Sequence, residues 1–213
     1  MNREPRTENR EWPIRPFFGF RFSVFGSRFI IVFLLAGCSR PPVNDYGPVP
    51  DFTLTERSGK SVSRADLQGK VWVAACVFTR CTGSCPVISG VMASLHHELK
   101  DQKNLVFVSV SVDPEHDTPE VLAAYAKSFA ADPERWLYLT GPKDDVYHLI
   151  RQGFLLGVEP TQGTARQPGN EVEHSPRLTL VDRQGRKRGF YDARDGAKIE
   201  ELKKQIAVLI KER

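Results

Sequence analysis

The chain has 213 residues, 40% hydrophobic and 26% charged, a composition that suits one globular domain and excludes low-complexity or collagen-like polymers. Its formal net charge of +4 is unevenly placed: residues 1–37 hold six Arg and three Glu, so the remainder is within one charge of neutrality. No basic stripe remains to bind a phosphate backbone, and no nucleic-acid partner is expected.

Residues 28–38 read Arg-Phe-Ile-Ile-Val-Phe-Leu-Leu-Ala-Gly-Cys, with basic residues, an apolar run and then small residues. That is the layout of a secretory signal, and the apolar run is too short for the roughly 20 residues a bilayer span needs. Leu35-Ala36-Gly37-Cys38 resembles a bacterial lipobox. The resemblance implies a signal peptide over 1–37, acylation of Cys38, a tether over 38–48 and a folded domain over 49–213. The domain would then sit extracytoplasmically, on the periplasmic face, as a membrane-anchored lipoprotein.

Phe52-Thr53-Leu54 and the turn Ser58-Gly59-Lys60 predict a hairpin at the start of the domain. Val71 to Phe78 is almost wholly apolar and suits a strand buried on both faces. Val87, Val91 and Leu95, with Ile88 and Met92 beside them, predict a helix with one apolar face. Leu105–Val112 reads as a second buried strand. Asp117-Thr118-Pro119 then starts a helix whose inner face is Leu122, Tyr125 and Phe129, with Asp117 or Thr118 as its cap.

A short strand at Trp136–Leu139, a short helix around Val146, Leu149 and Ile150, and a polar loop or irregular hairpin over 157–173 follow. Leu178–Val181 and Gly189–Tyr191 form a hairpin, and Ile199, Leu202, Ile206, Leu209 and Ile210 mark a closing helix. Strands alternating with helices imply a parallel core, to which the last hairpin adds antiparallel strands. The expected class is therefore α/β and thioredoxin-like, a central mixed sheet flanked by helices with an N-terminal β-hairpin. A doubly wound nucleotide fold is disfavoured, because no Gly-rich loop follows the first buried strand.

Cys81-Thr82-Gly83-Ser84-Cys85-Pro86 lies where that strand gives way to a helix. Free amides and the positive end of the helix dipole stabilise thiolates there. Ser84 or Thr82 is placed to cap those amides, and Pro86 fits the first turn. Two cysteines four apart can converge on a metal or close a disulfide. A disulfide across so short a loop gains little chain entropy, so a redox or metal-binding role is the better reading.

Five blocks then resemble the SCO/SenC family in order. They are Pro50-Asp51-Phe52-Thr53-Leu54, Gly69-Lys70-Val71, Phe78 to Pro86, Ser111 to Pro119 and Glu173-His174-Ser175. The resemblance runs from about residue 49 to the C-terminus. It implies a copper ion, Cu(I) or Cu(II), held by Cys81, Cys85 and His174. It further implies support for assembly of the binuclear copper centre of cytochrome c oxidase, by copper donation or by thiol reduction. The implied partners are the copper-bearing oxidase subunit or another copper chaperone. In the reductase alternative Cys81 attacks and Cys85 resolves.

Two thiolates and an imidazole suit Cu(I), and the same set serves Cu(II). Zinc is the second metal, although structural zinc usually takes four protein ligands. A peroxidase is disfavoured, because the position three before Cys81 is Phe78 rather than Thr.

Glu173 stands where the family commonly has Asp, and it and Asp113 are candidates to support the ligands. His116 stands where the family usually has Arg and is expected to face solvent. His96 and His97 point apart on one helix, His148 reads as surface, and Cys76 as a small buried hydrophobe. Glu171 and Glu173 share a polar loop. Thioredoxins carry a cis proline before the strand that follows their site, so a cis Ser175–Pro176 bond is expected.

Overall fold

The computed structural model describes residues 44–161, 169 and 172–212. The proposed signal peptide, Cys38, the start of the tether and Glu171 lie outside the described residues. From Tyr46 the chain is already bonded to the domain: the Tyr46 amide donates to the Lys187 carbonyl, and Val49 to Gly185.

The elements are β1 (Thr53–Glu56), β2 (Ser61–Ser63), β3 (Val71–Val77), α1 (Cys85–Glu98), β4 (Leu105–Ser111), α2 (Pro119–Ser128), β5 (Trp136–Thr140), α3 (Lys143–His148), β6 (Val158–Pro160), β7 (Val172–His174), β8 (Arg177–Val181), β9 (Lys187–Asp192) and α4 (Gly196–Lys211). A single wide turn, Leu149–Gly153, extends α3. Seven strands make one sheet in the order β2-β1-β5-β4-β3-β8-β9, and β6 and β7 form a separate two-stranded ladder. β3, β4 and β5 run parallel, whereas β1 and β8 pair antiparallel to the core. This is the thioredoxin-like arrangement the element order implied.

β3 and β4 are buried at all seven positions each, so both sheet faces must be covered. On one face His96 of α1 packs against Phe107 and Trp136, and Tyr125 of α2 against Tyr138. α4 joins that side through Lys203, whose Nζ lies 2.6 Å from the Glu98 carboxylate of α1. On the other face Trp72 meets Phe154, just beyond α3, at a centroid distance of 6.0 Å. Each such side chain, once buried, contributes about 1.5–3 kcal/mol.

Two expectations are corrected and one open alternative is settled. The buried stripe of α1 is Ile88, Met92 and Leu95 together with Cys85 and Ser89, while Val87 is exposed. Helical periodicity fits either neighbouring stripe, and the crossover onto β4 selects one. Thr118 caps α2 by accepting from the Val121 amide, and Asp117 points elsewhere. No peptide bond among the described residues is cis, so Ser175–Pro176 is trans. On either side of that bond the Ser175 amide donates to the Gly157 carbonyl and the Pro176 carbonyl accepts from the Ala193 amide. The bond thus takes the form that is favoured before proline by about 0.5–1 kcal/mol. Among the described residues no helix is long and apolar enough to cross a membrane.

Candidate metal centre

β3 delivers the chain to the edge of the core, and residues 78–84 carry it to Cys85, the first residue of α1. Pro86 occupies the first turn as expected, but the Ser84 side chain caps nothing. A sulfur takes up part of that role: Cys81 Sγ accepts from the Gly83 amide at 3.4 Å. Cys85 is buried and Cys81 half-buried, and both are free thiols.

His174 arrives from the far side of the chain. It is the last residue of β7, half-buried, with its ring edge-on to Phe78 at 5.9 Å. Its Nε2 lies 3.0 Å from Cys85 Sγ. The two sulfurs and one imidazole nitrogen all lie within 4.8 Å of one another, the one such cluster of metal-ligating side chains among the described residues. Ligands held about 2.0–2.3 Å from a shared metal are themselves about 3.3–4 Å apart. Cys85 Sγ and Nε2, at 3.0 Å, are already that close, and the widest pair of the three, within 4.8 Å, needs only a small inward movement to share one metal.

The electrostatics divide the thiols. The hydrogen bond from the Cys85 thiol lowers Cys81 to about 4, against the opposing effect of burial, and His174 and the amides of Cys85 and Gly83 add to the lowering. Cys85, as donor to Cys81 and buried, is pushed up. The half-exposed sulfur thus favours the thiolate and the deeper one the thiol. On the far side of the imidazole, Nδ1 lies 3.3 Å from the Ser175 carbonyl. With the proton on Nε2 the ring donates to thiolate sulfur, and with the proton on Nδ1 the Nε2 lone pair faces the sulfurs as a metal ligand needs.

Glu173 is exposed, and alternation along β7 turns it away from the ring of His174. The backbone carbonyl of Ser175 stands where a supporting carboxylate was expected. Asp113 reaches Arg80, at 2.6 Å, rather than a ligand. His116 is 41% exposed, with Nδ1 3.2 Å from Asp117. His97 and His148 are exposed, and His96 is half-buried against aromatic rings. Cys76 is buried, and that burial raises its thiol to about 12.

Two contributions to the site were not read from the sequence, where Asp117 reads only as a cap candidate and Gly169 only as part of a loop. Asp117 is fully buried beneath the cysteine loop. Gly169, from the loop before His174, accepts at its carbonyl from the Thr82 amide at 3.1 Å. Its φ is +92°, and a Cβ there would fall 2.6 Å from the Thr82 side chain. The glycine lets the His-bearing loop lie directly on the cysteine loop. Its position in a Gly-rich, Pro-rich tract was the available signal.

A thioredoxin-like sheet with a thiol pair at the head of α1 and an imidazole brought to it defines a dithiol protein equipped for metal or redox work. The chain belongs to the SCO1/SenC family, whose profile matches residues 44–211. It is 29% identical over 161 residues to the SCO1 protein homolog of Bacillus subtilis, covering 74% of this chain and 81% of that one. The crystal structure of a SCO1/SenC family lipoprotein from Bacillus anthracis superposes with a TM-score of 0.69 at 31% identity, covering 76% of this chain and 95% of that one. Bradyrhizobium japonicum ScoI, solved with copper bound, shares the fold at a TM-score of 0.64 and 24% identity, covering 76% and 99%.

Proposed function

We propose that this chain is a copper metallochaperone that holds copper at Cys81, Cys85 and His174 and supports assembly of the binuclear copper centre of cytochrome c oxidase. The observation that carries the reading is the convergence of two sulfurs and one imidazole within 4.8 Å. Thiolates with imidazole are the donor set copper prefers in both oxidation states. A three-ligand site open on one side lets an incoming ligand from the oxidase subunit, or from another copper chaperone, displace the protein's own ligands in turn. Both cysteines must be reduced to bind, so thiol redox state gates loading.

Copper titration of the reduced protein, followed by thiolate-to-Cu(II) absorbance, tests this. His174→Ala should weaken binding by more than the 10- to 100-fold typical of losing an outer partner, while dithiol reductase activity largely persists. Unchanged copper affinity would remove His174 from the centre.

A second reading is favoured by the unequal thiols. As a thiol–disulfide oxidoreductase, the Cys81 thiolate attacks a disulfide of the target copper site and one target sulfur leaves as thiolate. Cys85 then loses its proton and attacks the mixed disulfide. The second target sulfur departs, and two electrons have passed to the target as Cys81–Cys85 closes.

The lipobox-like Cys38 supports an extracytoplasmic, lipid-anchored placement, in keeping with the lipoprotein from B. anthracis. Radiolabelled palmitate should mark the wild-type protein and not Cys38→Ser; a wild-type protein that stays unlabelled would end that proposal.

A further inference from the structure

The Asp117 side chain is fully buried, yet its carboxylate has four neighbours placed to donate. Oδ2 accepts from Ser111 Oγ at 2.6 Å and from the Thr79 amide at 3.2 Å. Oδ1 accepts from Thr79 Oγ1 at 2.6 Å and faces His116 Nδ1 at 3.2 Å. A carboxylate offers about four lone-pair sites, so this one is saturated, which is the condition for keeping such a group away from water.

The distribution of those contacts is informative. Two of the four come from Thr79, two residues before Cys81. The neighbouring residue, Arg80, is drawn by its guanidinium to Asp113 of the same β4–α2 connection. Ser111, the last residue of β4, bonds Asp117 through its hydroxyl while accepting from the Asp113 amide at 3.1 Å. The 111–117 connection is therefore a folded bracket around one carboxylate. The segment leading from β3 into the cysteine loop is strapped to it at both its amide and its hydroxyl. β3 and β4 are hydrogen-bonded neighbours in register through Val77 and Ser111, so the bracket is fixed to the core.

We propose that Asp117 is a positioning residue for the thiol pair: by clamping Thr79 it sets where Cys81 Sγ stands relative to Cys85 and His174. It touches no ligand itself and acts through two residues of backbone. This deepens the copper reading and rests on that site being the working centre. The geometry assigns this role to Asp117 rather than Asp113, which reaches the cysteine loop through the exposed Arg80 side chain.

Thr79→Val removes the hydroxyl strap and keeps both shape and amide. Asp117→Asn keeps shape and removes the charge. Both should weaken Cu(II) binding about tenfold and alter the thiolate-to-copper absorption, and Thr79→Ser should restore both. In the reduced, metal-free chain the same two variants should change the rate at which iodoacetamide alkylates Cys81, a reading that stands even if copper proves not to be the cargo. Ser109→Ala supplies the control, since it removes a buried hydrogen bond from Trp136 Nε1 within the same sheet. It should lower thermal stability without moving either reading. Wild-type copper affinity and alkylation rate in both Thr79→Val and Asp117→Asn would overturn the proposal. So would an equal change in Ser109→Ala, or a failure of Thr79→Ser to restore.

Discussion

The centre is assembled from two regions of unlike construction. The cysteines stand on the β3–α1 junction, with seven buried strand residues on one side and the stripe Ile88, Met92 and Leu95 on the other. His174 stands on β7, which among the described residues pairs with β6 alone, through three residue pairs outside the main sheet. The Ser175 amide extends that pairing to Gly157, and among the described residues Arg151 bonds the Val158 carbonyl at 3.0 Å, Gly169 accepts from Thr82, and the Val158 side chain enters the core. Two ligands are thus held by the main sheet and its helix, and the third by a small two-stranded appendage that is packed on the core through Val158 and Val172. The difference teaches that global stability and metal affinity are separable here. A change in the core should cost the fold, and a change in the appendage should cost the ligand.

The largest expected effect lies within the rigid region. Cys81 is lowered from an ordinary value of 9.0 to about 4, with the Cys85 hydrogen bond the first cause and His174 a lesser one. Only the thiolate reacts with iodoacetamide, so the rate rises as pH climbs through the thiol's own value and then levels. In the reduced protein Cys81 should reach its plateau by about pH 6, where an ordinary thiol is still climbing. His174→Ala should move that midpoint up only partway, and a return to an ordinary thiol profile would show that the appendage, not the core, activates the sulfur.

Next in size is Ile88→Ala. This fully buried residue lies one turn from Cys85, and its truncation should cost about 2–5 kcal/mol in denaturant unfolding. Copper affinity of the folded fraction should change little. The converse is Gly169→Ala. The positive φ and the close Thr82 contact should cost about 1–3 kcal/mol locally. Expected is a loss of about tenfold in copper affinity, equivalent to 1.4 kcal/mol, with the global unfolding midpoint nearly unmoved. Thr82→Ala in the same background should recover part of it. A Gly169→Ala protein that unfolds early but binds copper normally would break the division between the two regions.

Much of this was legible in the chain. The apolar run Val71–Val77 is long enough to demand burial on both faces, and the cysteines follow where strand must turn to helix. The irregular tract over 157–173 was readable as a loop or hairpin, though its pairing was not. The choice between Asp113 and Asp117 was closed to inspection. Both are acidic residues in one connection, and only packing sends one to Arg80 and the other beneath Thr79. The buried face of α1 was similarly ambiguous, because Val87 and Ile88 are adjacent apolar residues and a helix can bury only one of them here.

By itself the sequence determined the class of sheet, the strand-to-helix seat of Cys81 and Cys85 and, through resemblance, the candidacy of His174, because these depend on residue type over a few neighbours. Tertiary structure alone decided that Nε2 comes to 3.0 Å from a sulfur 89 positions earlier, that Ser175 rather than Glu173 backs the ring, and that the bond before Pro176 is trans. Those outcomes are set by where β3, the β6–β7 ladder and β8 come to rest against one another, and no local pattern of residues encodes that balance of contacts.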